Sequence, residues 1–316
     1  MDFIFTILLI LGALLVLVLL TSLICFFKVF YSPNRKILKE GEYDLPPGEE
    51  YVPFYPQIRA WIDDIRRAKR EQISIKSFDG LTLRGYYYEF SPDSPVELLF
   101  HGYQGNAERD LSAGVQRCAA LGRSCCLIDH RGSGLSDGNI LTFGINEKKD
   151  CLAWIEFARK HFPGRPIIIG GVSMGAATVM MAAGSDLPEE VVCVMADCGY
   201  SSAREIIKKV VREMGLPADL LYPFIKLGAR LFGRFDLDED SPIEAVARAK
   251  VPIIFIHGDN DNFVPHYMSV DCYNACSSQK KMVTVPFAKH GLAYPTNPEL
   301  YVNSLRDFEK ECGFIK

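Results

Sequence analysis

The sequence predicts an α/β fold with a mostly parallel sheet and helices on both faces. Three observations lead to this prediction. Apolar runs of strand length alternate with helix-length segments over most of the chain. Asp79 and Gly80 separate two alternating segments, Ile73–Phe78 and Leu81–Tyr88, which is a strong hairpin signal. A Gly-x-Ser-x-Gly pattern, Gly171–Gly175, lies between an apolar run and a helical segment.

The Gly171–Gly175 pattern has the surroundings that a nucleophile elbow requires. The run Arg165–Gly170 reads as a buried strand, and Ala176–Ala183 reads as a helix. Glycines permit the sharp turn that lifts the Ser173 hydroxyl above the sheet edge, next to the N–H groups of a helix N-terminus. The competing interpretation is a tight turn with a capping serine. An acid and a base later in the chain would distinguish the two.

Both an acid and a base follow in the order that an elbow of this kind requires. The apolar segment Val251–His257 predicts a strand, and the loop after it carries Asp259 and Asp261. Acidic side chains at the carboxyl end of a parallel strand lie on the face where ligands bind. A further predicted strand, Lys281–Phe287, is followed by His290 on a loop. The order serine, acid, histidine therefore favours a nucleophile over a capping serine.

A glycine-containing loop supplies a candidate oxyanion hole. The strand Val96–Phe100 leads into the loop His101–Asn106, whose glycines allow close backbone approach. The expected donors are the backbone N–H groups of Tyr103 and Met174. The side chains of Tyr103 and Gln104 are further candidates, between which the sequence does not choose.

Five motifs in a fixed order carry a resemblance to a known family. They are His101-Gly102-x-x-Gly105-Asn106, Asp129-His130-Arg131-Gly132-x-Gly134-x-Ser136, the Ser173 elbow, His257-Gly258-x-x-Asp261-x-x-Val264-Pro265, and His290-Gly291. Over residues 72–312 the chain resembles the α/β-hydrolases, in particular the esterase and lysophospholipase-like subgroup with an N-terminal membrane segment.

The resemblance implies an eight-stranded α/β-hydrolase sheet with a helical lid. It also implies that Ser173 is the nucleophile, His290 the base and Asp261 the acid, with Asp259 as the rival acid. Neither a metal nor an organic cofactor is expected. The sequence has no His-x-x-x-His or Cys-x-x-Cys pattern that would suggest a metal site.

The net charge and the cysteine content limit the kinds of binding partner and the cellular compartment that we expect for this protein. The formal net charge is −4, which gives no reason to expect a nucleic-acid partner. Ten cysteines are scattered through a chain of 316 residues, unlike the disulfide framework of a small secreted protein. Reduced thiols in the cytosol are the better interpretation.

The N-terminal segment predicts a single membrane-spanning helix. Phe3–Phe27 contains no charged residue and is long enough to cross a bilayer. A cleaved signal peptide is the alternative, but the segment lacks a basic start and a small-residue cleavage site. Only Asp2 precedes the apolar run. The basic residues that follow it are Lys28, Arg35, Lys36 and Lys39. The positive-inside rule then keeps the catalytic domain on the cytoplasmic side.

We divide the chain into three parts. Residues 1–30 form the transmembrane anchor, and residues 31–71 form a linker with an amphipathic helix over Gln57–Glu71. Residues 72–316 form the hydrolase domain, in which 201–250 make a helical lid. We expect the linker to return over the hydrolase domain.

The predicted lid contains two helices, Ser202–Met214 and Ala218–Phe232, in a connection too long for a simple crossover. From Ser201 to Arg234 it has seven Lys or Arg and three Asp or Glu. One interpretation is an ordinary solvated polar face. The other is a lid that rests on anionic lipid headgroups.

The leading functional hypothesis is a serine hydrolase that cleaves carboxylic esters through an acyl-enzyme on Ser173, with lipid or monoacylglycerol esters as candidate substrates. The expected partners are a small-molecule or lipid acyl substrate and the membrane. A serine peptidase or amidase with the same residues is one alternative. A non-catalytic, membrane-tethered binding protein on a hydrolase fold is the other.

Overall fold

Eight strands form one sheet in a computed structural model that describes residues 2–33 and 41–314. The spatial order is β1-β2-β4-β3-β5-β6-β7-β8. β1 and β2 pair antiparallel, as do β2 and β4, and the other neighbours are parallel. This confirms the predicted eight-stranded, mostly parallel sheet. The strands are β1 (Glu71–Lys76), β2 (Thr82–Tyr88), β3 (Val96–Phe100), β4 (Ser124–Ile128), β5 (Ile167–Val172), β6 (Val191–Asp197), β7 (Ile253–Gly258) and β8 (Lys280–Val285).

Helices cover both faces of the sheet, and each face has its own buried cluster. One cluster contains Trp154 and Phe255, and the other contains Tyr301 and Phe308. The helices are α1 (Asp2–Phe30), α2 (Tyr55–Arg67), α3 (Ala107–Ala120), α4 (Ile145–His161), α5 (Met174–Ala183), α6 (Ala203–Glu213), α7 (Ala218–Gly228), α8 (Pro242–Val246), α9 (His266–Ala275), α10 (Ala293–Thr296) and α11 (Pro298–Cys312). Two shorter turns are a 3-10 turn, Val52–Phe54, and a π-helical turn, Ala229–Gly233.

The central strands are buried on both faces, which explains their continuous apolar sequences. All five residues of β3 and of β4 are buried. The predicted hairpin joins β1 to β2, with Lys76 opposite Thr82 and Gly80 at a φ of 87° in its turn.

Two predicted helix ends are wrong. The helix expected over Gln57–Glu71 is α2, which ends at Arg67, because Glu71 already opens β1 and pairs with Tyr87. The helix expected over Ala218–Phe232 is α7, which ends at Gly228 and continues as the π-helical turn.

The N-terminal apolar segment forms a helix long enough to cross a membrane, Phe3–Phe30. The side chains from Phe3 to Leu17 are all exposed, whereas Phe26 and Phe30 are buried against the rest of the protein. Three of the basic residues used to predict its orientation, Arg35, Lys36 and Lys39, lie outside the described residues.

A buried cluster of charged side chains joins β3 to the end of α3 and to the loop that follows α3. Glu97 is fully buried and accepts hydrogen bonds from Arg117, at the end of α3, and from Arg123. The Arg123 Nη1 atom lies 2.7 Å from Glu97 Oε2. Burial opposes ionisation, but the two guanidinium groups outweigh it and lower the pKa of Glu97 to about 2. The carboxylate therefore stays charged among apolar neighbours.

We expect Glu97→Gln to lower the free energy of unfolding by about 3–5 kcal/mol, because it leaves the buried Arg117 guanidinium without a counterion, whereas Arg123 keeps its pair with Glu309. Denaturant unfolding of the purified variant measures the effect. Asp186→Asn is the matched control, because the Asp186–Lys250 pair is almost fully exposed and its loss changes stability by about 0.5 kcal/mol or less. Equal stability of the Glu97→Gln variant and the parent would contradict the argument.

Candidate active site

Ser173 occupies a strained turn between β5 and α5. Its backbone has φ 58° and ψ −116°, a region that residues with a side chain rarely adopt. A Cβ atom on Gly175 would overlap the carbonyl group of Phe100, and one on Gly171 would overlap the backbone of Gly175. The turn is further held by a hydrogen bond from the Ser173 N–H to the Asp197 carbonyl, at 2.8 Å. These contacts require both glycines of the pattern.

A chain of hydrogen bonds joins the three side chains that the sequence singled out. His290 Nε2 lies 2.9 Å from Ser173 Oγ, and His290 Nδ1 lies 2.7 Å from Asp261 Oδ2. Since an ionised carboxylate only accepts, Nδ1 carries the proton and Nε2 is free to accept from the serine hydroxyl. Ser173 is 7% exposed, and the Asp261 side chain is fully buried. The arrangement can move a proton from the serine to the imidazole.

Four donors surround the Asp261 carboxylate. Oδ1 accepts the N–H groups of Phe263 and Val264, and Oδ2 accepts from His290 and His257. Burial by itself raises the pKa of Asp261, but the hydrogen bonds and charges of the two histidines outweigh it and hold the pKa well below its usual range. The carboxylate is therefore ionised at neutral pH.

His257, at the end of β7, supports the acidic loop. Its Nε2 lies 3.1 Å from Asp261 Oδ2 and 2.9 Å from the Val264 carbonyl, and both are acceptors. Nε2 therefore carries the proton. Its Nδ1 lies 2.7 Å from the hydroxyl of Ser269 on α9. The histidine that opens the His-Gly-x-x-Asp motif is the sequence signal for this contact.

The rival acid, Asp259, points elsewhere. Its Oδ1 accepts the backbone N–H of Phe287 at 2.6 Å, which closes the loop after β8. Of the two acids that follow β7, Asp261 is the one that bonds His290.

The loop after β3 faces Ser173. A Cβ atom on Gly102 would lie 3.5 Å from Ser173 Cβ and 3.9 Å from Ser173 Oγ. The Gly102 N–H donates to Asp110 on α3, at 3.2 Å, and Asp110 is paired with Arg109. No motif pointed to Asp110, because its contact depends on how α3 folds back onto the loop.

The two residues predicted to form the oxyanion hole both lie close to Ser173. Met174 follows it as the first residue of α5, and Tyr103 lines the cavity that opens over Ser173. The Tyr103 hydroxyl is not directed at an oxyanion, because it donates to the Val29 carbonyl in the last turn of α1, at 2.6 Å. Gln104 in turn donates to the Tyr103 hydroxyl. The Tyr103 backbone remains the candidate donor.

A cavity of about 260 Å³ opens over Ser173 and His290. Its roof comes from the segment before α2, including Pro46, Pro47 and Tyr51, and Trp61 forms a side wall. The Tyr51 hydroxyl donates to the His290 carbonyl at 3.0 Å, so the predicted return of the linker over the domain is observed. No residue of the range 201–250, all of which the structure describes, lines this cavity.

Comparison with known proteins agrees with this geometry. A family model described as an alpha/beta hydrolase fold matches residues 96–222. The uncharacterized protein YqkD of Bacillus subtilis is 24% identical over 248 residues, or 78% of this chain and 81% of that protein. Protein bem46 of Schizosaccharomyces pombe is 26% identical, over 67% of each chain. The Pyrococcus furiosus esterase Pf2001 superposes with a TM-score of 0.63 at 21% identity, covering 79% of this chain and 93% of that one.

The chain has the α/β-hydrolase fold. A second solved structure of the same fold, Est1E from Butyrivibrio proteoclasticus with ferulic acid bound, has a TM-score of 0.58 at 21% identity. It covers 76% of this chain and 98% of that one.

One further side chain lies beside the hydrogen-bonded chain. Cys198 follows β6 with a left-handed backbone, and its sulfur, an Asp261 oxygen and a His290 nitrogen lie within 4.8 Å of one another. These three are ligand types that a metal ion accepts, but Asp261 and His290 already bond each other. Burial raises the pKa of the Cys198 thiol well above its usual value, which keeps the sulfur protonated.

Asp197 is a buried acid under the elbow. Its Oδ2 accepts the hydroxyl of Tyr301 on α11 at 2.9 Å. Its Oδ1 has no partner among the described residues. Burial outweighs these contacts and raises its pKa to about 6.

We expect Asp197→Asn to stabilise the protein at neutral pH. The folded-state pKa lies above the ordinary value near 3.8, so the folded protein holds this proton more tightly, and ionisation costs stability as pH rises through 6. The gain should therefore be absent near pH 4, grow up to about pH 6 and stay constant above. Thermal melting across this pH range measures it, and Asp186→Asn, at an exposed site, should give no such profile. A gain of equal size at pH 4 and pH 8 would contradict the assignment.

Proposed function

We propose that this protein is a membrane-anchored serine hydrolase that cleaves carboxylic esters. The observation that carries the proposal is the continuous hydrogen-bonded chain from Ser173 through His290 to Asp261, at a strained turn beneath a cavity. A serine in this geometry has a base within reach and an orienting acid behind the base.

The reaction follows from the positions of these groups. His290 Nε2 takes the proton of Ser173 Oγ as that oxygen attacks the acyl carbon of the ester. Asp261 keeps the imidazole in the tautomer that accepts this proton and stabilises the imidazolium. The imidazolium then protonates the leaving alcohol. Water, deprotonated in its turn by His290, releases the acid from the acyl-enzyme.

The backbone N–H groups of Met174 and Tyr103 stabilise the oxyanion of each tetrahedral intermediate. Met174 lies at the N-terminus of α5, where unpaired N–H groups and the helix dipole favour negative charge. The loss of one such donor costs about 2.7–4 kcal/mol of transition-state stabilisation in other enzymes.

The cavity favours an apolar acyl group of modest size. Trp61, Ile58, Tyr51 and Val172 supply apolar surface, and about 260 Å³ lies at the small end of ligand pockets. The membrane anchor supports an amphiphilic ester as the substrate, such as a lipid or monoacylglycerol ester.

The test compares ester hydrolysis by single variants, with p-nitrophenyl esters of increasing chain length. We expect Ser173→Ala to lower kcat by about 10⁴–10⁶-fold and to abolish labelling by a fluorophosphonate probe. Asp261→Asn should lower kcat by about 10⁴-fold, because the imidazole then adopts the wrong tautomer.

Asp259→Asn is the matched control for the acid, because the amide oxygen still accepts the Phe287 N–H. We expect its kcat to stay within about twofold of the parent. A large loss in Asp259→Asn with a small one in Asp261→Asn would reverse the assignment of the acid. A parent protein that is folded but neither labelled nor active would instead support a binding protein on this fold. Aminoacyl anilides measured in parallel test the peptidase alternative.

The proposed topology is a single-pass membrane protein with its catalytic domain in the cytoplasm. The exposed apolar length of α1 supports the anchor, and Lys28 at its carboxyl end supports this orientation. All ten cysteines are free, which is typical of a reducing compartment.

Labelling with a membrane-impermeant maleimide tests the topology in intact cells. We expect Asp186→Cys, at an exposed site of the catalytic domain, to react only after the membrane is permeabilised. Asp2→Cys, on the other side of the anchor, should react without permeabilisation. The parent gives the background from native cysteines. The reverse pattern would place the domain outside the cytoplasm.

A further inference from the structure

The end of the anchor helix is built into the catalytic domain. Phe26 and Phe30 of α1 lie in a buried cluster with Phe143 and Phe235. The Phe30 carbonyl accepts the Leu141 N–H at 2.8 Å. The Ser32 N–H donates to the Asn139 carbonyl, and the Tyr103 hydroxyl holds the Val29 carbonyl. Residues 26–32 therefore fix the direction in which the exposed part of α1 leaves the domain.

The segment 201–250, which we call the helical insertion, packs on this fixed helix. A Cβ atom on Gly228 would lie 2.5 Å from the Ser22 carbonyl oxygen, so α7 and α1 touch through their backbones. The rings of Phe232 and Phe26 lie 5.9 Å apart, and those of Phe235 and Phe30 lie 5.1 Å apart. From Gly228 onward the chain thus runs alongside α1 in the same direction. The start of α7 and the turn before it therefore extend towards the exposed part of α1.

The length of α1 sets the level of the membrane surface. The 18 residues from Phe3 to Leu20 have no buried side chain, and at 1.5 Å per residue they span about 27 Å. The hydrocarbon core of a bilayer is about 30 Å thick. The boundary of the hydrocarbon core that faces the catalytic domain then falls close to Ser22, the residue against which Gly228 packs.

Beyond this level, in the direction of the exposed part of α1, the helical insertion exposes apolar side chains. Met214 is 68% exposed and Leu220 is 63% exposed, and Leu216 lies between them in the turn from α6 to α7. We call these three residues the tip patch. Leu231 and Phe232, beside α1, are exposed as well.

The basic residues near the tip patch are already paired within the protein. Lys208 and Arg212 both pair with Asp219, and Lys209 pairs with Glu213. Asp236 and Asp238, just beyond the counted range, pair with Arg204, Lys226 and Arg230, so the local excess of positive charge is partly compensated within the fold. Contact with lipid through apolar side chains fits these observations better than attraction to anionic headgroups.

We propose that the tip patch inserts into the bilayer leaflet on the side of the catalytic domain, so that the helical insertion is a second membrane contact beside the anchor. Because no residue of the insertion lines the cavity over Ser173, its exposed apolar surface is not needed to cover the site. This proposal rests on the proposed anchoring of α1 but not on the proposed catalytic activity.

Tryptophan fluorescence of the full chain in single-copy nanodiscs tests the proposal, with lipids brominated on their acyl chains as quenchers. Leu220→Trp reports the tip patch, and Leu216→Trp is a second reporter in case the first variant does not fold. Leu11→Trp, in the middle of the exposed helix, is the positive control. Phe90→Trp is the matched negative control, because Phe90 is 55% exposed and bonds Ser124 at the start of β4, at the end of the sheet opposite to the carboxyl ends of the parallel strands. The parent, with Trp61 and Trp154, gives the background.

We expect the added fluorescence of Leu220→Trp to fall at least twofold in brominated lipid and to shift to the blue, as for Leu11→Trp. Phe90→Trp should show neither change. Quenching of Leu11→Trp without quenching of either tip variant would overturn the docking and leave the anchor intact. A blue shift without quenching would mean that protein covers the patch, which also overturns it. Lack of quenching in Leu11→Trp would overturn the anchor and the docking together.

Discussion

The backbone turn at Ser173 is the constraint on which the rest of the site depends. A residue with a side chain holds a positive φ there only because β5 and α5 are packed so closely that Gly171 and Gly175 have no room for a Cβ atom. That packing needs the β3 carbonyl of Phe100 beside α5, and β3 in turn needs its buried Glu97 neutralised. The packing of the sheet core therefore offsets the conformational energy of this strained turn.

Two buried acids near this turn behave in opposite ways, because their hydrogen-bond partners differ. Asp261 receives four donors, two of them from histidines, and stays ionised. Asp197 receives one phenol and holds its proton up to about pH 6. A carboxylate that must orient an imidazole needs the first environment. The loop after β7 supplies it through its own backbone N–H groups and through His257.

The N-terminal segment takes part in the architecture at two places. The last turns of α1 pack into the core and receive the Tyr103 hydroxyl, and the segment before α2 roofs the cavity. Sequence reasoning predicted a spanning helix and a linker that returns over the domain. It did not predict that both would contact the loops around Ser173. Such contacts join residues more than 70 positions apart, and no local pattern encodes them.

The sequence by itself determined the α/β class, the hairpin at Asp79 and Gly80, the strand-turn-helix at Ser173 and the long apolar N-terminal helix. These features follow from periodicity and from glycine positions, which act over a few residues. Only the tertiary structure decided that Asp261 and not Asp259 meets His290, because the two acids differ in where the folded loop points them. Only the tertiary structure, likewise, decided that the helical insertion packs against α1. That outcome depends on how surfaces distant in the chain fit together, as where Gly228 meets Ser22.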